Sequence, residues 1–267
     1  MAKMKIKELP NYDLIRRLHM SRIKQINDFF IEVELTIDAL KSFQKDMLSR
    51  DSKADYSVPK MNGGVRTVKR NTSEVLNYID HRIAYSQYAQ SLVFIVARVE
   101  DYITDVLLTM LLAFPRKILI SIKGNESSKN VDLKTIIEKN DIDTLIFDQA
   151  KMRINEALYA SPKQYADYFT KVCGFDLGPH LQNYIEMKAT RDLLVHSEGV
   201  VNAIYLEKAG ELARGKNGEI VPIDAEYFES SVRDMKNMSS TIYRGLLNKY
   251  GDSTEFSQSV AKQKSTS

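Results

Sequence analysis

Between Tyr12 and Leu48 the apolar positions Ile23, Ile26, Phe30, Val33, Ile37, Leu40 and Met47 recur three or four apart, interrupted once at Gln44. That period predicts one long helix with a seam able to meet a second helix along its length. Phe29, Ile31 and Leu35 widen the apolar face, which favours an antiparallel partner within the chain over a coiled coil between chains. Ser49 to Thr72 breaks the pattern. Pro59 and the turn signal Asn62-Gly63-Gly64, followed by Val65-Arg66-Thr67-Val68-Lys69-Arg70, predict a basic loop or small hairpin.

A second helical run is expected from Ser73, taken as its N-cap with Glu74 in the first turn. It passes through Ile79, Ile83, Val93, Val96, Val99, Ile103, Val106 and Met110 to Ala113, with room for a bend, and Pro115 lies just beyond. Arg98, Asp101 and Asp105 fall three and four apart on the opposite face, the spacing of surface ion pairs. Ile118 to Ile122 reads as a short strand or an extended link ending at Gly124. Helices are expected at about 132–139, 142–160, 162–173 and 178–195, with Asp132 and Ser161 as caps and Pro162 at a first helical position. After Asn202 the pattern is less regular. Gly215-Lys216-Asn217-Gly218 forms a turn, followed by the brief apolar run Ile220, Val221 and Ile223. Asp224 can cap a last helix with Phe228, Val232, Met235, Ile242, Leu246 and Leu247 inside. Gly251 should close the ordered part, and the Ser-, Lys-, Gln- and Thr-rich tail 251–267 should be disordered. The fold class that follows is all-α.

Composition supports this. Of 267 residues, 43% are hydrophobic and 27% charged, and only 11 Gly and 6 Pro interrupt the chain. The single Cys173 excludes an intramolecular disulfide framework and a multi-cysteine zinc site, and makes a cytoplasmic location the simplest expectation. The basic amino terminus lacks an apolar core of signal-peptide length. Leu92 to Phe114 is long enough to span a bilayer, but Arg98, Glu100, Asp101 and Asp105 make it a buried helix, so no membrane is expected. A net charge of +3 is compatible with RNA contact without demonstrating it.

Candidate chemistry concentrates in T-R-D-L-L-V-H-S-E-G-V-V-N, Thr190 to Asn202. Arg191 offers an always-charged fork for phosphate, and His196 a proton carrier near neutral pH. On an ideal helix five residues separate them by roughly 140° around the axis and about 7.5 Å along it. They do not form a tight pair on one face, whereas a cleft on a two-fold axis between two copies can use both. Asp192 is read either as orienting His196 or fixing Arg191, or as an ordinary surface carboxylate. Ser197, Glu198 and Asn202 are candidate RNA contacts, and Asn202 serves equally well in a local backbone turn. Lys60, Arg66, Lys69 and Arg70 are candidate phosphate contacts on what is otherwise a solvated linker. Tyr165, Tyr168, Tyr184 and Tyr205 suit base stacking or, more commonly, core packing. His19, His81 and His180 are isolated, and no phosphate-binding or dinucleotide fingerprint occurs, so neither metal nor cofactor is expected.

Around this motif the chain resembles the HEPN superfamily of helical domains, whose ribonuclease members carry Arg, a polar residue, a few apolar residues, then His-Asn-x-Gly-x-Val-Asn. Arg191, Asp192, Leu193, Leu194, Val195, His196, Gly199, Val201 and Asn202 follow that pattern, and Ser197 departs from it where Asn is common. The similarity extends to the helix from Arg98 into F-P-R-K at 114–117, to Y-A-S-P-K-Q-Y-A-D-Y at 159–168, and to V-N-A-I-Y-L-E-K after the motif. The resemblance therefore implies a HEPN-like bundle over 88–250, preceded by an N-terminal helical region 1–87 with the basic loop 49–72. It further implies a homodimeric, metal-independent endoribonuclease with catalytic Arg191 and His196, acting as a prokaryotic toxin or antiviral-defence effector with an antitoxin or defence-system partner. The alternative is a non-catalytic HEPN-like module that binds RNA or a protein through the same cleft.

Overall fold

A computed structural model describes residues 11–49, 53–122, 131–139 and 141–263. Among these, the structure is all-α apart from a two-stranded hairpin and an isolated bridge. The order is α1 (Asn11–Leu48), β1 (Lys53–Pro59), β2 (Val65–Asn71), α2 (Thr72–His81), α3 (Gln87–Ala113), α4 (Leu133–Lys139), α5 (Ile142–Leu158), α6 (Pro162–Cys173), α7 (Pro179–His196), α8 (Ala203–Ala209), α9 (Ala225–Tyr250) and α10 (Thr254–Gln263).

Helix α3 is the axis of the bundle. Leu92, Val96, Val99, Ile103, Val106, Leu107 and Met110 are fully buried along it, and α1, α5, α6, α7, α9 and α10 all pack against it. The partner for the α1 seam lies within the chain. Asn11 Nδ2 donates to the Tyr250 carbonyl (2.9 Å), His19 stacks on Tyr243 (4.7 Å between ring centres), Lys236 meets Asn27 (2.8 Å), and Phe30 stacks on Phe228 (6.1 Å). Contacts that descend α9 as they ascend α1 make the two helices antiparallel. Leu14, Ile15, Ile26, Val33 and Ile37 thereby join the same core as residues from α3 to α10. Beyond it, α1 continues to α2, where Met47 packs with Val75 and Ile79 in a small separate cluster.

Several expectations are corrected. Asn71, not Ser73, caps α2: its side chain accepts from the Glu74 N–H (2.9 Å) while Glu74 accepts from the Asn71 N–H (2.9 Å), and Ser73 only donates to Asn71 Oδ1. This reciprocal box satisfies two otherwise open donors, more than a lone serine offers. The bend allowed for in the second helical run is a single π turn at Arg82–Ser86. The stretch expected to be a strand or link begins as a 3-10 turn, Pro115–Leu119, before the chain extends at Ile120; Gly124 lies outside the described residues. Asp105 pairs across helices with Arg22 (3.8 Å) and Arg98 lies over the Phe94 ring (4.8 Å), so the run at 98–105 ties α3 to α1 as well as facing water. The irregular stretch after Asn202 contains the helix α8. Within the tail expected to be disordered, Thr254–Gln263 form α10, whose Phe256 is fully buried and stacked on Tyr250 (5.9 Å); 264–267 lie outside the described residues. Caps at Ser161, with Gln164 completing a box, and at Asp224 stand where the sequence puts them. No helix among the described residues is long and apolar enough to cross a membrane.

The α1–α9 contact has a pH consequence. Burial holds the His19 imidazole below its ordinary value of 6.5, against an opposing contact with Ser239. The folded chain thus binds this proton less readily than the unfolded chain. Stability present above the unfolded value is lost as pH falls through the lowered one. His19→Gln is expected to flatten the decline in melting temperature from about pH 7 to about pH 5, read by calorimetry.

Candidate functional site

Helix α7 carries Arg191 one and a half turns before its end and His196 as its last residue. The helix stops because Ser197 and Gly199 N–H groups both fold back to the Leu193 carbonyl (2.9 and 3.0 Å). The reversal takes Glu198 to φ 51° and Gly199 to φ 79°, the left-handed region. A Cβ on Gly199 would lie 2.8 Å from the Tyr85 hydroxyl, in a conformation that side chains rarely adopt. Gly199→Ala is therefore expected to cost about 1–3 kcal/mol of unfolding free energy, measured by urea titration.

His196 is exposed, and among the described residues no hydrogen bond or ion pair holds its imidazole. Arg191 is the opposite case. Its side chain is only 21% exposed, its Nη2 donates to Glu100 of α3 (2.7 Å), and its Nη1 faces Asp192 (3.2 Å). Glu100 also holds Lys188, whose ammonium is within reach of the Leu158 carbonyl (3.5 Å). Asp192 reaches Lys208 of α8 as well (3.5 Å). Arg191 thus sits in a chain of alternating charges, Lys188–Glu100–Arg191–Asp192–Lys208, that fixes its fork. Of the three readings of Asp192, orienting His196, fixing Arg191 or a plain surface carboxylate, the structure shows the contact to Arg191.

Asn202 is the N-cap of α8, accepting from the Tyr205 N–H (2.9 Å), and its Nδ2 donates to Ser197 Oγ (3.4 Å). Both residues therefore shape the turn after His196. The Asp192–Lys208 and Asn202–Ser197 contacts run α8 back along α7. Val195 and Ile204 are 51% and 64% exposed. Tyr165, Tyr168, Tyr184 and Tyr205 are all buried in the core, and the expected alternative of base stacking does not apply to them. Lys60, Arg66, Lys69 and Arg70 lie on the β1–β2 hairpin, apart from α7 in the fold.

Behind the motif lies a buried polar network that the sequence reading missed. Glu186, 4% exposed, sits one turn before Thr190 on α7 and accepts from Thr190 Oγ1 (2.7 Å), Tyr205 (3.0 Å), Tyr227 (2.8 Å) and the Arg214 guanidinium (3.2 Å). Arg214 also donates to Thr190 Oγ1 (2.9 Å) and the Pro222 carbonyl, lies 3.3 Å over the Tyr227 ring, and its backbone N–H donates to the Tyr205 hydroxyl (3.0 Å). Burial, then the adjacent Glu186 charge, push the Tyr227 hydroxyl pKa far up, so it stays a donor. The network clamps residues 214–222 against α7. The same segment meets the turn through Val201 N–H to Glu219 O (2.8 Å), Val221 N–H to Gly199 O (2.9 Å) and the Val200–Ile220 bridge. The only sequence signal was an acidic residue among Tyr184, Ile185 and Met187 on an otherwise buried stretch; nothing local named Arg214 as its partner.

Set against known proteins, the chain matches no family model, no curated protein and no solved structure.

Proposed function

We propose that the chain is a metal-independent endoribonuclease of the HEPN type, working as a homodimer in which each copy contributes Arg191 and His196 to one cleft. The observation that carries this reading is the contrast between the two side chains. His196 is open to solvent at a helix end, while Arg191 is held in place by Glu100 and Asp192. A fixed donor fork and an open imidazole, brought together across a two-fold cleft, would supply the preorganisation that phosphoryl transfer needs. Val195, next to His196 in sequence, and Ile204 on α8 are both exposed apolar side chains that a second copy would cover.

In the proposed reaction the neutral imidazole of one His196 removes the proton from a ribose 2′-OH as that oxygen attacks the adjacent phosphorus. Charge gathering on the non-bridging oxygens is met by Arg191 of the two copies. The second His196, or a water molecule in its place, gives a proton to the departing 5′-oxygen. The bond to that oxygen breaks as the bond to the 2′-oxygen forms, leaving a 2′,3′-cyclic phosphate and a 5′-OH. DNA lacks the attacking group and survives. A role as a cytoplasmic toxin or antiviral-defence effector, restrained by an antitoxin or other partner, follows from the same resemblance. Incubation with total RNA in EDTA, followed by end mapping, is expected to give cyclic-phosphate and 5′-hydroxyl ends; dependence on Mg²⁺ or 5′-phosphate products would contradict the mechanism.

One observation favours a second reading. Both terminal nitrogens of Arg191 already meet carboxylates, which offsets its charge towards an incoming phosphate. A cleft built this way also suits a non-catalytic module that binds RNA or protein without cutting. RNA binding with intact ends under the same conditions would select it.

A further inference from the structure

The β1–β2 hairpin stands apart from the core. From Asp55 to Arg70 four cations, Lys60, Arg66, Lys69 and Arg70, face the single anion Asp55, a net +3 equal to that of the whole chain. The chain's 38 cations and 35 anions thus leave 34 of each elsewhere. The whole hairpin, Lys53–Asn71, adds Lys53 and carries +4, which leaves the rest of the chain at −1.

The register sorts that charge between two faces. Strand side chains alternate, and the pairs Asp55↔Lys69, Tyr56↔Val68, Ser57↔Thr67 and Val58↔Arg66 are fixed by the ladder. Asp55 lies opposite Lys69 on one face, where the two charges offset each other. The other face carries Tyr56, Val58, Arg66, Val68 and Arg70: two guanidiniums, no anion, and between them an aromatic ring 43% exposed. Arg66 and Arg70 are four residues apart on one strand, roughly 13 Å, and so bracket the ring. The arm is positioned rather than loose. Lys60 N–H bonds the Gly64 carbonyl across the tip (3.0 Å), where Gly63 and Gly64 supply the positive φ of the turn, and Asn71 at its base caps α2.

We propose that this face binds single-stranded RNA, with Tyr56 stacked on one base and Arg66 and Arg70 on the flanking phosphates. An aromatic platform between cations is sequence-tolerant and needs a base free of its partner. The deep, narrow major groove of an A-form duplex excludes a two-stranded ribbon, so a paired RNA is the poorer ligand. The RNA identity of the ligand rests on the endoribonuclease reading; the charge and stacking face do not. From Asn71 the chain reaches Tyr85 through α2 and the π turn, about 21 Å of helix, and the Tyr85 hydroxyl abuts the position of Gly199. One extended strand is therefore long enough to touch the arm and the turn after His196.

The test is fluorescence anisotropy on the full chain with a labelled 12-nucleotide 2′-O-methyl oligouridine, which has no free 2′-OH to attack, and a duplex RNA of equal length. Tyr56→Ala is expected to weaken the single strand by about tenfold or more while Tyr56→Phe retains binding. Arg66→Ala and Arg70→Ala should each weaken it and lower the salt slope by about 0.7. The duplex should bind more weakly and ignore Tyr56→Ala. Unchanged binding in Tyr56→Ala and in the double arginine variant overturns the proposal, as does a duplex that binds equally well with the same dependence on Tyr56, or no binding at all. Helical circular dichroism confirms folding of each variant. Because the probe cannot be cut, a failed arm with intact RNA cleavage removes only this proposal, and a working arm without cleavage removes only the nuclease reading.

Discussion

Glu186→Ala is expected to lower the unfolding free energy by about 3–5 kcal/mol, the range for deleting one partner of a buried ion pair. The Glu186 side chain is 6% exposed, and the Arg214 side chain 20% exposed. Its loss leaves the Arg214 charge beneath the surface without its carboxylate and strips the Tyr205 and Tyr227 hydroxyls and Thr190 of their common acceptor. Unmet buried donors cost about 1–3 kcal/mol each, less what water entering the space recovers. Glu186→Gln keeps the shape and one acceptor and should lose less. Urea unfolding is the measurement, with the midpoint falling and the slope unchanged; a midpoint shift worth under about 1 kcal/mol would show that the clamp contributes little. The effect reaches the candidate site because residues 214–222 form the wall against which the 197–201 turn is pinned.

Why this network escaped the sequence reading, while most helices did not, is a matter of range. Helix α1 and helix α9 announce themselves by a period of apolar positions over many turns, a signal that belongs to one segment. Caps such as Ser161 with Gln164 and Asp224 are also local. Asn71 was legible too, since Asn71 and Glu74 have the spacing of a capping box, but Ser73 stood closer to the first apolar residue. Helix α8 has only Tyr205 and Ala209 buried in seven residues, too few to show a period. Helix α10 is polar in composition and rests on Phe256, so its order comes from packing on Tyr250 and α3 rather than from propensity. Glu186 and Arg214 are 28 residues apart, and Glu100 and Arg191 are 91 apart. Such pairs exist only once the bundle has formed. The motif itself, by contrast, was visible as residues and invisible as geometry: nothing in the sequence said that Arg191 would be tied down and His196 left open.

That difference shapes the second large effect. His196→Ala is expected to slow RNA cleavage by about 10²–10⁴-fold, the usual weight of general acid–base catalysis. Arg191→Ala should cost about 10²–10³-fold through lost stabilisation of the developing charge. The arginine substitution carries a second consequence, since it also leaves Glu100 shared only with Lys188; its melting temperature should fall, while that of the exposed His196→Ala should not.

Cleavage of RNA in EDTA by wild type, by each single variant and by an equimolar mixture of the two variants tests the whole account. In a composite site the mixed dimer retains one Arg191 and one His196 across the cleft. The account predicts active wild type, two variants at least a hundredfold slower, and partial recovery on mixing. Wild type that cuts nothing, variants that cut as fast as wild type, or a mixture no better than its parts would contradict it.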